Sequence, residues 1–206
     1  MLGSEKQQLY EFWKKHQIIT DQPLLSAFLT IPRENFIRPG NQNEAYADHP
    51  LPIGDGQTIS QPTTVMLMLQ LLEIAPHQKI LEIGAGSGYN AALMAHLAQE
   101  VYTMETLPML AAFAEMNLKR MQLSNVRVIV GDGKQGYPPA SPYDRIMVTA
   151  AASTIPDTLL KQLNHQGILV IPVGPPYRCE MTKILKTSDG KYNLTRHGLF
   201  SFVPLV

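Results

Sequence analysis

The feature that most constrains the fold is a glycine-rich turn at residues 84–88, set between an apolar segment and a segment suited to a helix. The apolar segment is Ile80-Leu81-Glu82-Ile83, the turn reads Gly84-Ala85-Gly86-Ser87-Gly88, and the helical segment covers Asn90–Ala95. A strand, a tight turn and a helix N-terminus in this order let a nucleoside cofactor lie against bare backbone. We therefore predict a nucleoside-binding unit here, with a glycine-rich turn that binds nothing as the alternative.

The spacing of the glycines separates two classes of cofactor. A dinucleotide fingerprint, GxGxxG, requires a glycine at position 89, where this chain has Tyr89, so an NAD-dependent dehydrogenase is disfavoured. The pattern is instead GxGxG with Glu82 two residues before the first glycine. A carboxylate at that place can meet an ammonium group. S-adenosylmethionine (SAM) carries an α-ammonium and no phosphate, so the pattern favours SAM.

Two later strand ends also carry a carboxylate. Glu105 ends the apolar segment 101–104, at the place where an acidic residue usually binds a ribose diol, although it can also favour the start of a helix. Asp132 lies between two glycines after the segment 126–130, and it can accept a hydrogen bond from an adenine amino group or simply form the turn. Together with Glu82, these residues predict one crevice at the C-terminal edge of a parallel sheet.

Hydrophobic periodicity predicts an alternation of helices and strands. Helices are predicted at residues 5–16, 22–30, 63–74, 89–98, 107–121 and 155–163. Strands are predicted at residues 79–83, 101–105, 126–130, 143–149 and 167–173, and near 180–187 and 194–203. The last two strands are joined by Ser188-Asp189-Gly190 and should form a hairpin. The expected fold class is α/β, with a Rossmann-like, doubly wound, seven-stranded and mostly parallel sheet and a C-terminal antiparallel hairpin.

The length of the chain and the lack of a linker, repeat or low-complexity segment within it predict one domain, residues 1–206. Its first part, 1–62, holds two helices and then a long segment, 40–62, with little predicted regular structure. Apolar and aromatic residues in that segment favour an ordered loop that lies on the protein. Its second part, 63–206, is the expected SAM-binding core.

Composition excludes several classes of protein. Lys plus Arg and Asp plus Glu number 17 each, so no overall charge attracts the chain to nucleic acid or to an anionic membrane. Scattered N-terminal charges and the lack of a long apolar run argue against a signal peptide and a membrane span. The single cysteine, Cys179, fits a reducing compartment, and with separated histidines it makes a metal site improbable. We expect a cytoplasmic monomer that binds no metal.

Across nearly its whole length the chain resembles the protein-L-isoaspartate O-methyltransferase family. The matching segments occur in the family's order: Ile31–Phe36, Ala45–Gly54, Gly56–Pro62, the glycine turn, Gly131-Asp132-Gly133, Thr149–Ala152, Gln162-Leu163 and Phe202–Leu205. The segment Gln57–Pro62 is the most specific of them, because generic SAM enzymes lack it. Departures lie at Lys134, Gly136 and Tyr137, and at Thr63-Thr64, where relatives often carry larger side chains. These departures affect contacts at the rim of the site and contacts with the peptide substrate, and none of them changes a cofactor-binding residue.

The resemblance implies a role for each matching residue. Glu82 and the glycines hold the methionine part of SAM, Glu105 the ribose, and Asp132 with Gly133 the adenine. The implied cofactor-binding residues are Thr58, Ile59, Glu82, Gly84, Ala85, Gly86, Gly88, Glu105, Asp132 and Gly133. Ser60 is the implied catalytic residue, a hydroxyl near the methyl acceptor. The implied substrates are isoaspartyl peptides and proteins, and the implied cofactor product is S-adenosylhomocysteine (SAH).

The chemistry agrees with this set of residues. Methyl transfer to a carboxylate needs no general base, because the nucleophile is ionised at neutral pH; it needs orientation and exclusion of water. Ser60 can orient the carboxylate, or it can merely pack in the loop or cap the helix after Pro62. The alternatives are a carboxyl methyltransferase with another peptide or small acid as acceptor, and a non-catalytic SAM-binding module. The tract Gly174–Tyr177, similar to a signature of base-amino methyltransferases, follows the fifth strand instead of the fourth and is interpreted as a turn.

Overall fold

A computed structural model describes residues 2–176 and 178–205 of this 206-residue chain. The ends of the predicted domain, Met1 and Val206, and the last residue of the predicted Gly174–Tyr177 turn lie outside the described residues. The α-helices are α1 Leu2–Lys15, α2 Gln22–Thr30, α3 Pro62–Leu72, α4 Tyr89–Leu97, α5 Pro108–Arg120 and α6 Asp157–Gln162. The strands are β1 Leu51–Gly54, β2 Gln57–Ile59, β3 Lys79–Ile83, β4 Glu100–Glu105, β5 Val126–Val130, β6 Tyr143–Val148, β7 Leu163–Val173, β8 Cys179–Lys186 and β9 Tyr192–Phe200.

Within the described ranges, seven strands form the central sheet in the order β5-β4-β3-β6-β7-β8-β9. Strands β3 to β7 pair in parallel, whereas β8 and β9 pair antiparallel at one edge. The chain leaves β3 toward β4 on one side and later returns to β6 on the other side. The predicted fold class is therefore confirmed, and the glycine turn lies at the point where the strand order reverses, which is where open α/β sheets bind ligands.

The sheet is covered on both faces, which explains why its central strands read as nearly continuous apolar runs. Side chains alternate along β3: Ile80 packs into the apolar cluster that contains α4, while Leu81 and Ile83 pack into the cluster on the other face. Glu82 therefore points toward the face that carries α4. This alternation decides where its carboxyl group lies.

The N-terminal helices pack onto this core. Asp21 caps the N-terminus of α2, where its Oδ1 accepts a hydrogen bond from the Leu24 main-chain N–H at 2.9 Å. Trp13 of α1 is completely buried, and its indole N–H donates to Thr63 Oγ1 of α3 at 2.8 Å. Across the described residues, no helix is long and apolar enough to cross a bilayer.

The segment 40–62 contains more regular structure than predicted. Strands β1 and β2 form a short antiparallel hairpin, and the last residue of β1 and the two residues of the turn, 54–56, all have positive φ. The hairpin could not be predicted from the sequence, because the prolines and glycines of this segment are typical of loops. Pro52 is tolerated because the hairpin is only two strands wide, so one side of each strand needs no partner.

Candidate active site

A cleft opens at the C-terminal edge of the sheet, over the glycine turn. It encloses about 800 Å³ of empty space, part of it open to solvent. Its walls come from segments far apart in the chain: the hairpin end 57–60, the glycine turn, the ends of β4, β5 and β6, and residues 203–205. The predicted crevice is thus present, and two further parts of the chain line it: the covering segment, defined as residues 45–60, and the C-terminal segment, residues 203–205.

The glycine turn exposes bare backbone to the cleft. Gly84, Gly86 and Gly88 have φ values of 96°, 53° and 85°, which residues with a Cβ rarely adopt. A Cβ on Gly84 would also overlap Oγ1 of Thr149, the residue that follows β6. That hydroxyl donates to the Gly84 carbonyl at 2.9 Å and so joins the ends of β3 and β6. The turn requires glycine for its conformation and for its close approach to neighbours.

Glu105 lies at the end of β4, buried, and lines the cleft. Its Oε2 accepts a hydrogen bond from the Gly86 main-chain N–H at 2.9 Å, and its Oε1 accepts one from the Leu107 N–H at 3.1 Å. The carboxylate therefore closes the glycine turn and also stabilises the start of α5. Both carboxylate oxygens can accept further hydrogen bonds, as the ribose assignment requires.

Glu82 lies beneath the cleft and is not part of its wall. The side chain is completely buried, and its Oε2 accepts a hydrogen bond from Thr103 Oγ1 at 2.6 Å. Its Oε1 has no hydrogen-bond partner in the part of the chain that the structure describes. Burial raises the pKa of Glu82 to about 8, while Thr103 and the nearby Asn90 amide lower it in part. The strand alternation turns the Glu82 side chain below the floor of the cleft, and its role at the methionine ammonium stays a prediction.

Asp132 behaves as the turn former that the sequence allowed. Its side chain is exposed and accepts hydrogen bonds from the Lys134 N–H at 2.9 Å and the Gln135 Nε2 at 3.4 Å. The glycines beside it line the cleft, and a Cβ on Gly133 would overlap Cγ2 of Ile83. The backbone thus approaches the cleft closely at this strand end, and the adenine contact of Asp132 stays a prediction.

The covering segment supplies Thr58, Ile59 and Ser60 to the cleft wall. Within the described residues no hydrogen bond engages the Ser60 hydroxyl, and it does not cap α3. That helix begins instead with its Thr63 main-chain N–H donating to Asp48 Oδ1 at 2.9 Å. The capping alternative for Ser60 therefore has no support in the geometry, and the hydroxyl is available to an acceptor.

Sequence reasoning missed several contributors to this site. Asn90 and Tyr89 open α4 and line the cleft, as does Thr149. The C-terminal segment reaches the cleft through main-chain hydrogen bonds with Ala151, whose N–H donates to Val203 O at 2.7 Å. The only signal for that segment was the resemblance at Phe202–Leu205, because local periodicity does not show where a chain end returns.

Residues 2–176 and 178–205 contain no group of three or more His, Cys, Asp or Glu side chains in an arrangement that could hold a metal ion. The absence of a metal requirement remains an expectation for solution experiments.

Comparison with known proteins gives a consistent result. A model of the family described as protein-L-isoaspartate(D-aspartate) O-methyltransferase matches residues 4–206. A protein-L-isoaspartate O-methyltransferase of Methanopyrus kandleri is 46% identical over 205 residues, covering 98% of this chain and 91% of the relative. Its counterpart from Pyrococcus horikoshii is 43% identical over 211 residues, covering 98% and 96%.

A solved structure also matches the fold. The crystal structure of a Plasmodium falciparum protein-L-isoaspartate O-methyltransferase in complex with SAH has a TM-score of 0.84 and 27% identity, with 97% of each chain covered. The likeness therefore includes the N-terminal helices and the covering segment as well as the sheet.

Proposed function

The chain belongs to the protein-L-isoaspartate(D-aspartate) O-methyltransferase family, and from this premise we propose that the cleft described above is its active site. The protein is a SAM-dependent O-methyltransferase that methylates the free carboxylate of isoaspartyl residues in damaged proteins. The observation that carries the assignment to this cleft is the meeting of the bare glycine turn with the free Ser60 hydroxyl of the covering segment.

The residues of the cleft fit SAM. Gly84 and Gly86 line the cleft without side chains, so bare backbone faces the space where a cofactor would rest. The buried carboxylate of Glu105 lines the same space, and its oxygens suit the two hydroxyls of a ribose. When bound, SAM supplies an electrophilic methyl group on a sulfonium. We assign Thr58, Ile59, Gly84, Ala85, Gly86, Gly88, Glu105 and Gly133 to its binding site, with Asp132 at the adenine rim.

Glu82 acts on the cofactor from below in this proposal. The pKa of Glu82 is about 8 without the cofactor, so its carboxyl group is mostly protonated at neutral pH. A nearby ammonium lowers the pKa of a buried carboxyl group, so the bound ammonium would favour the ionised form of Glu82, which stabilises it without touching it. Asn90 lines the cleft and lies close enough to Glu82 to influence its pKa, so it provides a polar connection between the two.

Ser60 orients the acceptor. Its hydroxyl donates to one oxygen of the isoaspartyl carboxylate and leaves the other oxygen free to attack the methyl group. No proton has to be removed, because the carboxylate is already ionised at neutral pH. The covering segment and residues 203–205 narrow the cleft around the carboxylate and exclude water, which favours an in-line displacement.

We further propose that residues 1–206 act as one monomeric domain in the cytoplasm, without nucleic acid, membrane or metal as partners. The Trp13–Thr63 hydrogen bond supports a single domain because it joins α1 to the core. The buried, free thiol of Cys179 supports a reducing compartment. Balanced charges, 17 of each sign, support the absence of nucleic-acid binding. Light scattering and cell fractionation test these points.

The test of the function uses two peptides that differ only in one linkage, aspartyl or isoaspartyl. Transfer of labelled methyl from SAM should occur to the isoaspartyl peptide and not to its matched aspartyl control. A protein that binds SAH but methylates neither peptide would be a binding module. Transfer to small acids or other peptides in place of the isoaspartyl peptide would identify a related carboxyl methyltransferase.

A further inference from the structure

Arg33 occupies an unusual environment behind the covering segment. The side chain is completely buried, and burial lowers its pKa to about 10, so that it is still charged at neutral pH. In the described part of the chain, its side chain makes hydrogen bonds to two main-chain carbonyls and to no carboxylate. Burying a charge without an ion-pair partner is costly. A neutral side chain would fill the same space with a smaller desolvation penalty.

The two carbonyls belong to the two ends of the covering segment. Nε of Arg33 donates to the Ala45 carbonyl at 2.7 Å, and Nη2 donates to the Ser60 carbonyl at 2.7 Å. One planar guanidinium thus fixes residues 45 and 60 relative to each other and closes the segment between them. Charged donors form stronger hydrogen bonds than neutral ones, and the rigid fork fixes direction as well as distance.

A third contact joins this arrangement to the cofactor side of the cleft. The guanidinium carbon of Arg33 lies 5.1 Å from the centroid of the Tyr89 ring. Tyr89 follows Gly88, begins α4 and lines the cleft. Nη1 of Arg33 and the hydroxyl of Tyr89 are both buried, and each lacks a hydrogen-bond partner among the described residues. The guanidinium therefore touches the covering segment and the helix that follows the glycine turn at the same time.

We propose that Arg33 is a positioning residue for methyl transfer, which fixes the main chain of Ser60 relative to the glycine turn. The inference rests on the proposed function of Ser60 and goes beyond it. The carbonyl that accepts the hydrogen bond from Arg33 and the hydroxyl that orients the acceptor both belong to Ser60. Rotation of the Ser60 peptide would therefore displace the hydroxyl. A displacement of about 1 Å can lower a rate by roughly a hundredfold. Arg33 does not line the cleft, so cofactor affinity should depend on it far less.

The experiment replaces Arg33 with lysine, which keeps the charge but has one nitrogen in place of the fork. We expect kcat on the isoaspartyl peptide to fall by about 10- to 100-fold. The Kd for SAH should stay within about threefold, because the variant changes no atom of the cleft wall. Hydrogen exchange of the amides between residues 45 and 60 should become at least about tenfold faster in the cofactor-free protein.

Arg145 of β6 offers a matched control. It is also buried, and its Nε and Nη2 both donate to the Glu73 carbonyl, at 3.1 and 2.9 Å. Neither Arg145 nor Glu73 lines the cleft. Arg145→Lys removes a comparable fork from a main-chain carbonyl outside the site. It should lower the melting temperature while leaving kcat and the exchange of residues 45–60 unchanged.

The outcomes separate this inference from the proposed function. Equal kcat in the two variants, with unchanged exchange of residues 45–60, would overturn the role of Arg33 while the function stands. If the wild-type protein transfers no methyl, the proposed function fails, and the exchange measurement still decides whether Arg33 fixes the segment. If Arg33→Lys does not fold, Arg33→Met removes the donors without burying an unpaired charge, and the same measurements apply.

Discussion

At the scale of single residues, the surroundings of two groups near the cleft bear on the roles proposed for them. The Ser60 hydroxyl is free of hydrogen bonds within the described residues, while the Ser60 carbonyl is held by Arg33 at 2.7 Å. The Glu82 carboxyl is enclosed below the floor and accepts one hydrogen bond, from Thr103. The first group is fixed but available to an acceptor, and the second is withdrawn from solvent. Each predicts a distinct measurement.

Replacing Ser60 with alanine should slow turnover selectively. A hydrogen bond to a charged group contributes about 1.5–3 kcal/mol, which corresponds to a loss of roughly 10- to 100-fold in kcat. Stability should change by less than about 0.5 kcal/mol, because no hydrogen bond of the folded chain is lost. Ser60→Thr keeps the hydroxyl and should retain more activity than Ser60→Ala. The exposed Ser26 provides a control for the same substitution. Lower stability with normal turnover would contradict the role.

Glu82 should make stability depend on pH between about 4.5 and 8. Its pKa rises from 4.5 in a free side chain to about 8 in the folded protein. In this range the folded state keeps the proton that the unfolded state releases, so stability from this group is full below pH 4.5 and is lost as pH rises toward 8. The neighbouring groups are Thr103, Asn90 and Glu105. The slope can reach about 1.4 kcal/mol per pH unit.

Urea denaturation of the wild type and of Glu82→Gln measures this effect. As pH rises from 5.5 to 8, the free energy of unfolding of the wild type should fall relative to that of Glu82→Gln, because glutamine stays neutral. Glu115→Gln is the control, since Glu115 is an exposed carboxylate that pairs with Lys119 on α5. Parallel pH profiles for the wild type and Glu82→Gln would mean that Glu82 is ionised throughout the range.

At the scale of elements, the structure shows which inferences local sequence supports. The strand and the helix on either side of the glycine turn 84–88 could be predicted, because apolar runs and glycine spacing are local signals. The β1–β2 hairpin could not, because its prolines and glycines are those of an irregular loop. The same limit applies to Glu82, whose place below the floor depends on the alternation of β3 and on Thr103 of the neighbouring strand. Arg33 gave no local signal for its contacts, although it lies in the matching segment Ile31–Phe36, since its partners lie 12 and 27 residues away.

In the glycine turn, the substitution Gly84→Ala should destabilise the fold in two separable ways, by steric overlap and by an unfavourable φ. Gly84→Ala places a Cβ against Thr149 Oγ1 and forces alanine to a φ of 96°. Overpacking costs about 1–3 kcal/mol, and the left-handed conformation costs about 1–2 kcal/mol more. Adding Thr149→Ala removes the overlap, so the double variant should recover the steric part alone. A double-mutant cycle by urea denaturation measures the coupling. Simple additivity would show that the turn moves to accommodate the methyl group.

At the scale of the whole molecule, the class of sheet could be predicted from the sequence, but the set of segments that form the cleft only partly. Alternating strands and helices imply parallel pairing with right-handed crossovers, and the predicted seven-stranded sheet is confirmed. The cleft also needs the return of residues 203–205 to Ala151, and this contact spans about 50 positions of the chain. Such a contact depends on where β9 ends in space, which no local pattern encodes.

This assembly from distant segments predicts how the molecule responds to its cofactor product. At a concentration 100 times its Kd, SAH should stabilise the fold by about 2.7 kcal/mol, which corresponds to roughly 5–10 °C in melting temperature for a domain of this size. Hydrogen exchange should slow together at 57–60, at 84–90 and at 203–205, since one ligand contacts walls that the chain supplies separately. EDTA should leave the shift unchanged, and NAD should produce none, because Tyr89 interrupts the dinucleotide pattern. Protection confined to 84–90 would mean that the covering and C-terminal segments do not close over the bound molecule, and the proposed exclusion of water from the acceptor would then lose its basis.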